Sequence, residues 1–131
     1  MSNLLSKDQI LSAQDLDTKD IYVKPWRGYV RIRTMTAHER DRFEQMMFSN
    51  KGGKKERMED VRATLVSLTV VDEAGKRLFT DKDVKALGKK SAAALDKIFD
   101  EAQKLNRVTD EDVEDMTENL PETQDDSSDG E

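Results

Sequence analysis

Only one stretch of this chain repeats with a period of two, and it lies among segments that repeat at helical spacing. Tyr29, Arg31 and Arg33 alternate with Val30 and Ile32, as expected of a strand with one face buried. Ile21 and Val23 supply a facing strand, and Pro25-Trp26-Arg27-Gly28 the turn between the two. Pro25 limits the first strand because it has no N–H to give to a ladder. A two-stranded hairpin is marginal in water by itself, so this one must pack on helices, those starting at Thr36 and Ser91. The expected fold is therefore mainly α with one β-hairpin at about 21–33, an α+β class.

The helix starts are readable from their caps. Ser6-Lys7-Asp8-Gln9 and Thr36-Ala37-His38-Glu39 both have capping-box form, a hydroxyl followed three residues on by Gln or Glu. The first opens a short helix carrying Ile10, Leu11 and Ala13; the second opens one running to about Ser49. On that second helix Phe43, Met46 and Met47 share a face, with Phe48 adjacent. Met58, Val61, Leu65 and Leu68 form a helical stripe between about Glu56 and Val70, widened at its end by Val66, Val70 and Val71. Asp72-Glu73-Ala74-Gly75 then reverses the chain, with Gly75 free to take positive φ, and Leu78 and Phe79 return to the core. Thr80 to Asp83 caps a short helix with Val84 and Leu87. Ser91 caps a longer one that aligns Leu95, Ile98, Phe99, Ala102 and Leu105.

Charge divides the chain in two. Of 28 acidic residues, eleven fall between Thr109 and Glu131, where there is no Lys or Arg; residues 1–108 keep 17 acids against 22 bases, a net of +5. The expected organisation is a small helical body over 1–108 and an acidic tail over 109–131. The tail begins with a short helix using Val113, Met116 and Leu120, ends it at Pro121, and is too polar beyond that to bury, so it should be disordered.

Most chemistry is excluded or unsupported. There is no Cys, hence no disulfide, thiolate metal site or Cys nucleophile. No apolar run approaches the ~20 residues that span a bilayer, and the N-terminus lacks the pattern of a signal peptide, so a soluble cytosolic chain without membrane contact is expected. His38, the single His, sits in the first turn of a helix with no triad or zinc motif around it. Asp15, Asp17 and Asp20 lie in a loop without the Gly and terminal Glu of a calcium site. Asn50 to Lys55 lacks the spacing of a phosphate-binding loop. Arg31, Arg33, Arg40 and Arg42 have neither interleaved aromatics nor a helix-turn-helix pattern, so no nucleic-acid partner is expected. The sequence thus points to a non-enzymatic binding protein with no cofactor and no metal. Candidate contact residues are Trp26, Met46, Met47, Phe48 and Met58, because aromatic and methionine side chains anchor and adapt to apolar partners.

The order of these pieces resembles the tail assembly chaperones of long-tailed bacteriophages over most of 5–107. The resemblance is carried by the polar N-terminal helix, the hairpin around Pro25-Trp26-Arg27-Gly28, and the strand and capped helix from Val30 to Glu44. Beyond a variable loop it continues through the turn from Val71 to Thr80 and the segment from Asp83 to Asn106. It implies a protein made in the infected host cell, acting in its cytoplasm and absent from the mature virion. Its implied partners are the tape measure protein, which it keeps soluble, and the tail tube protein, which it helps recruit, with self-association as a further contact. Two other readings fit the residues: a small acidic regulator or nucleic-acid mimic, and a minor structural component of the tail.

Overall fold

One helix organises the molecule. The computed structural model describes residues 3–49 and 51–118, and at its centre lies α3, Lys54–Thr69. Val61 and every residue from Ala63 to Thr69 are buried, so this half of the helix is enclosed rather than striped. Two of its buried hydroxyls bond back along the helix: Ser67 Oγ donates to the Thr64 carbonyl and Thr69 Oγ1 to that of Leu65, both at 2.8 Å. The other helices gather round it: α2 (Ala37–Phe48), the short α4 (Val84–Leu87), α5 (Ala92–Asn106) and α6 (Asp110–Thr117). The caps expected from sequence form, with Thr36 accepting from the Glu39 N–H and Ser91 from that of Ala94.

The hairpin is present as β1 (Thr18–Val23) and β2 (Gly28–Arg33), antiparallel, with Ile21 opposite Val30 and Val23 opposite Gly28. Ile21, Val23 and Ile32 face inward and are buried; Tyr22 and Tyr29 face outward and meet edge to face, ring centroids 5.3 Å apart. Pro25 lies in a short 3-10 turn, Lys24–Trp26, and the left-handed position after it is taken by Arg27 rather than by Gly28. The sheet packs on α5.

Four details depart from the sequence reading. First, β1 begins at Thr18, inside the stretch expected to be a loop. Asp20 pairs with Arg31 directly across the ladder and is neutralised there, and the backbones of Asp17 and Thr34 extend the pairing. Second, the sheet has a third strand, β3 (Val70–Val71), beside β2 with Val70 opposite Ile32. The β-branched pair leaves the helical path at the end of α3 and completes the inner sheet edge. Third, Leu78 is 55% exposed instead of returning to the core, although Phe79 does pack against it. Fourth, the core runs past residue 108: Val108, Val113 and Met116 are buried, with α6 seated on α2 and α3. The tail expected to be disordered after Leu120 lies outside the described residues.

Candidate functional site

Faces of α3 and α5 line one groove. Lys54, Met58 and Arg62 recur every fourth residue along α3, and Asp96, Phe99, Asp100 and Gln103 occupy one face of α5. The first helix therefore lines about 12 Å of groove, two turns at 1.5 Å per residue. Helix α6 forms the third wall through Glu111, Val113, Glu114 and Thr117. The groove is open to solvent, with a volume of about 810 Å³. Its floor is apolar, made by Met58, Phe99 and Val113.

The position of α6 is set by polar contacts as well as by its buried side chains. Arg57 is buried, and its Nε donates to the Thr117 carbonyl at 2.8 Å while its Nη1 donates to the Gly52 carbonyl. One guanidinium thereby bonds a carbonyl at each end of the segment it joins, at the start of α3 and the end of α6. Gln103 secures the turn between α5 and α6, its Nε2 donating to the Val108 carbonyl at 3.0 Å and to Asp110 at 3.2 Å. Asn106 ties the end of α5 to the strand-to-helix junction, accepting from the Met35 N–H at 2.6 Å.

The rim of the groove is acidic. Its bases are already engaged, Lys54 with Glu118 at 2.6 Å and Arg62 with Asp96 at 2.8 Å. The Glu118 carboxylate holds the Lys54 ammonium above its ordinary pKa. Glu114 also faces the Lys54 charge, whereas Asp100 and Glu111 make no salt bridge among the described residues, so the rim presents these two carboxylates unneutralised. Elsewhere, carboxylates are consumed by structure. Arg33 Nη2 donates to both Glu39 carboxylate oxygens at 2.7 and 2.8 Å, Arg42 holds Asp81, and Lys19 joins β1 to α5 through Glu101 at 2.6 Å.

The residues singled out from sequence do not form one site. Met47 is 1% exposed and belongs to the core, which removes it as a contact residue in the folded protein. Met46 is half-buried on α2, Phe48 lies 45% exposed at the end of that helix, and Trp26 is 39% exposed in the hairpin turn. Met58 alone of the five lines the principal groove. What sequence reasoning missed is the acidic rim. The signal available was that Asp96 and Asp100 flank Phe99 on the amphipathic helix α5. A second exposed feature is the N-terminal segment: α1 (Lys7–Ser12) forms its capping box but buries nothing, leaving Leu4, Leu5, Ile10 and Leu11 uncovered. Among the described residues, no cluster of His, Asp and Glu is placed to hold a metal, and no helix is long and apolar enough to cross a membrane.

Comparison with known proteins places this architecture. It is the fold of a phage tail assembly chaperone. The solved structure of the bacteriophage HK97 tail assembly chaperone superposes with a TM-score of 0.58, covering 75% of this chain and 94% of that one, at 16% sequence identity. No protein-family profile and no curated protein sequence matches the chain.

Proposed function

We propose that this protein is a phage tail assembly chaperone, a binding protein rather than an enzyme, whose client is the tape measure protein. The observation that carries the reading is the shared fold with the HK97 chaperone, which extends over nearly the whole of that chain. The ordered resemblance of most of residues 5–107 to the same family supports it from sequence alone.

The physical need is clear. A tape measure protein is long and helical, with apolar seams that stay open to water until tube subunits enclose it. Exposed apolar seams associate nonspecifically. A small helical protein with an apolar groove covers such a seam reversibly and leaves when tube protein is recruited. In this reading the chaperone acts in the host cytoplasm and is left behind when the virion is complete.

Co-expression with the tape measure protein of the same phage tests this. The chaperone should keep that protein in the soluble fraction and co-purify with it in several copies, and mature virions should lack it. A chain that neither binds nor solubilises the tape measure, yet is found stoichiometrically in virions, is a structural tail component instead. Removing residues 119–131 separates a third reading: binding that vanishes with that acidic segment indicates a nucleic-acid mimic.

A further inference from the structure

We infer that the groove between α3, α5 and α6 is a docking site for a basic amphipathic helix. This deepens the proposed function, and rests on it only where the tape measure is the source of that helix. Three observations define the occupant. The α3 residues Lys54, Met58 and Arg62 span two helical turns on the surface where α3 packs on α5, a length that suits about two turns of a docked helix. Phe99 and Val113 lie largely buried beneath the groove, so its apolar contact falls mainly to Met58, whose unbranched, half-buried side chain adjusts to the apolar stripe of an entering helix. The rim then decides the charge.

Asp100 and Glu111 stand at the margin without salt-bridge partners among the described residues, whereas Lys54 is bonded to Glu118 with Glu114 near it, and Arg62 is bonded to Asp96. An acidic segment entering the groove would meet these free carboxylates and find the bases occupied. A segment with Lys or Arg flanking its apolar stripe would pair with them. Charge complementarity therefore selects a cationic amphipathic helix, with the apolar floor supplying affinity and the rim supplying selection and encounter rate.

The test uses the full chain and two probes. The first is a synthetic helical peptide of about 20 residues, long enough to hold a helix, with a Leu stripe flanked by Lys; its partner peptide replaces Lys with Glu. The wild-type protein should bind the Lys peptide and reject the Glu peptide. Reversing the rim in the triple variant Asp100→Lys, Glu111→Lys, Glu114→Lys should weaken the Lys peptide by roughly tenfold or more. A control reversing three exposed acids elsewhere, Asp15→Lys, Asp41→Lys, Glu73→Lys, should leave it within about twofold, since rim charges act locally at physiological salt. Circular dichroism verifies that both variants are folded.

Equal loss in both triple variants would reduce the effect to net charge and overturn the inference, as would Lys-peptide binding untouched by rim reversal. A second copy of this chain as the true occupant would show as self-association that rim reversal dissolves while peptide binding persists, and that too overturns it. The second probe is the tape measure co-expression. Tape measure capture unaffected by rim reversal sinks the groove and leaves the chaperone reading standing; peptide binding by a chain that never captures the tape measure does the opposite.

Discussion

Met116→Ala tests whether α6 is part of the fold or an appendage to it. Met116 is 3% exposed and belongs to the core cluster, so almost all of its side chain leaves water on folding. The substitution removes three heavy atoms, about 2 kcal/mol at ~0.8 kcal/mol per buried methylene. A cavity term adds to this, and core Met→Ala changes span about 2–5 kcal/mol. Helix α6 has eight residues and sits on one side of α2 and α3, so it can settle partly into the space. The low end of the range is therefore expected, about 2–3 kcal/mol. For a chain of this size that lowers the melting temperature by roughly 6–15 °C. Urea titration with circular dichroism measures the free energy directly, and an unchanged denaturant slope would show that the unfolded reference is the same. Asp115→Ala, one position earlier and exposed, is the control and should stay within about 0.5 kcal/mol. A Met116→Ala value as small as the control would refute the docking of α6, and with it the third wall of the groove.

Two further outcomes follow from the packing and the ion pairs. Phe99→Ala should cost about 3–5 kcal/mol, since Phe99 is buried at the meeting of α5 with the groove floor; a loss below ~1 kcal/mol by the same titration would contradict that burial. Glu101 and Asp81 are held below their ordinary values of 4.5 and 3.8, chiefly by hydrogen bonds from Lys19 and Arg42 respectively. The folded state therefore binds fewer protons than the unfolded chain in acid, so their contribution is present above those values and is lost as pH falls through the lower folded ones. The double variant Glu101→Gln, Asp81→Asn should flatten stability against pH in that acid window, and a slope identical to wild type would remove both pairs as its cause.

The sequence was most legible where a local signal coincided with a tertiary need. The hairpin showed itself because Ile21, Val23 and Ile32 bury one face while Tyr22 and Tyr29 stay wet. The caps at Thr36 and Ser91 are local hydrogen bonds and need no tertiary context. Strand β3 was hidden because two residues cannot display a period, and Val70-Val71 reads equally well as the end of an apolar helix. Helix α6 was assigned to a tail because its acids dominate its composition; its core contribution is only Val113, Met116 and the hydroxyl-bearing Thr117, whose hydroxyl bonds back to the Val113 carbonyl. The groove was out of reach for a similar reason. Met58, Phe99 and Val113 are 41 and 14 residues apart along the chain, and only the fold makes them one surface.

Helix α3 ends at Thr69 and β3 begins at Val70, with no connecting residue. The rod that lines the groove at its first turns is thus the same piece of backbone that hydrogen-bonds to the sheet at its far end. A domain that closes on its client by bending needs a joint, and α3 offers none between the bundle and the sheet. If the proposed client is bound in this groove, adjustment to its successive stretches falls to side chains, Met58 foremost, while the backbone works as a fixed jig. Lengthening that junction by one residue would turn Val70 and Val71 to the wrong sides of the sheet and rotate the groove face of α3 by about 100° relative to it.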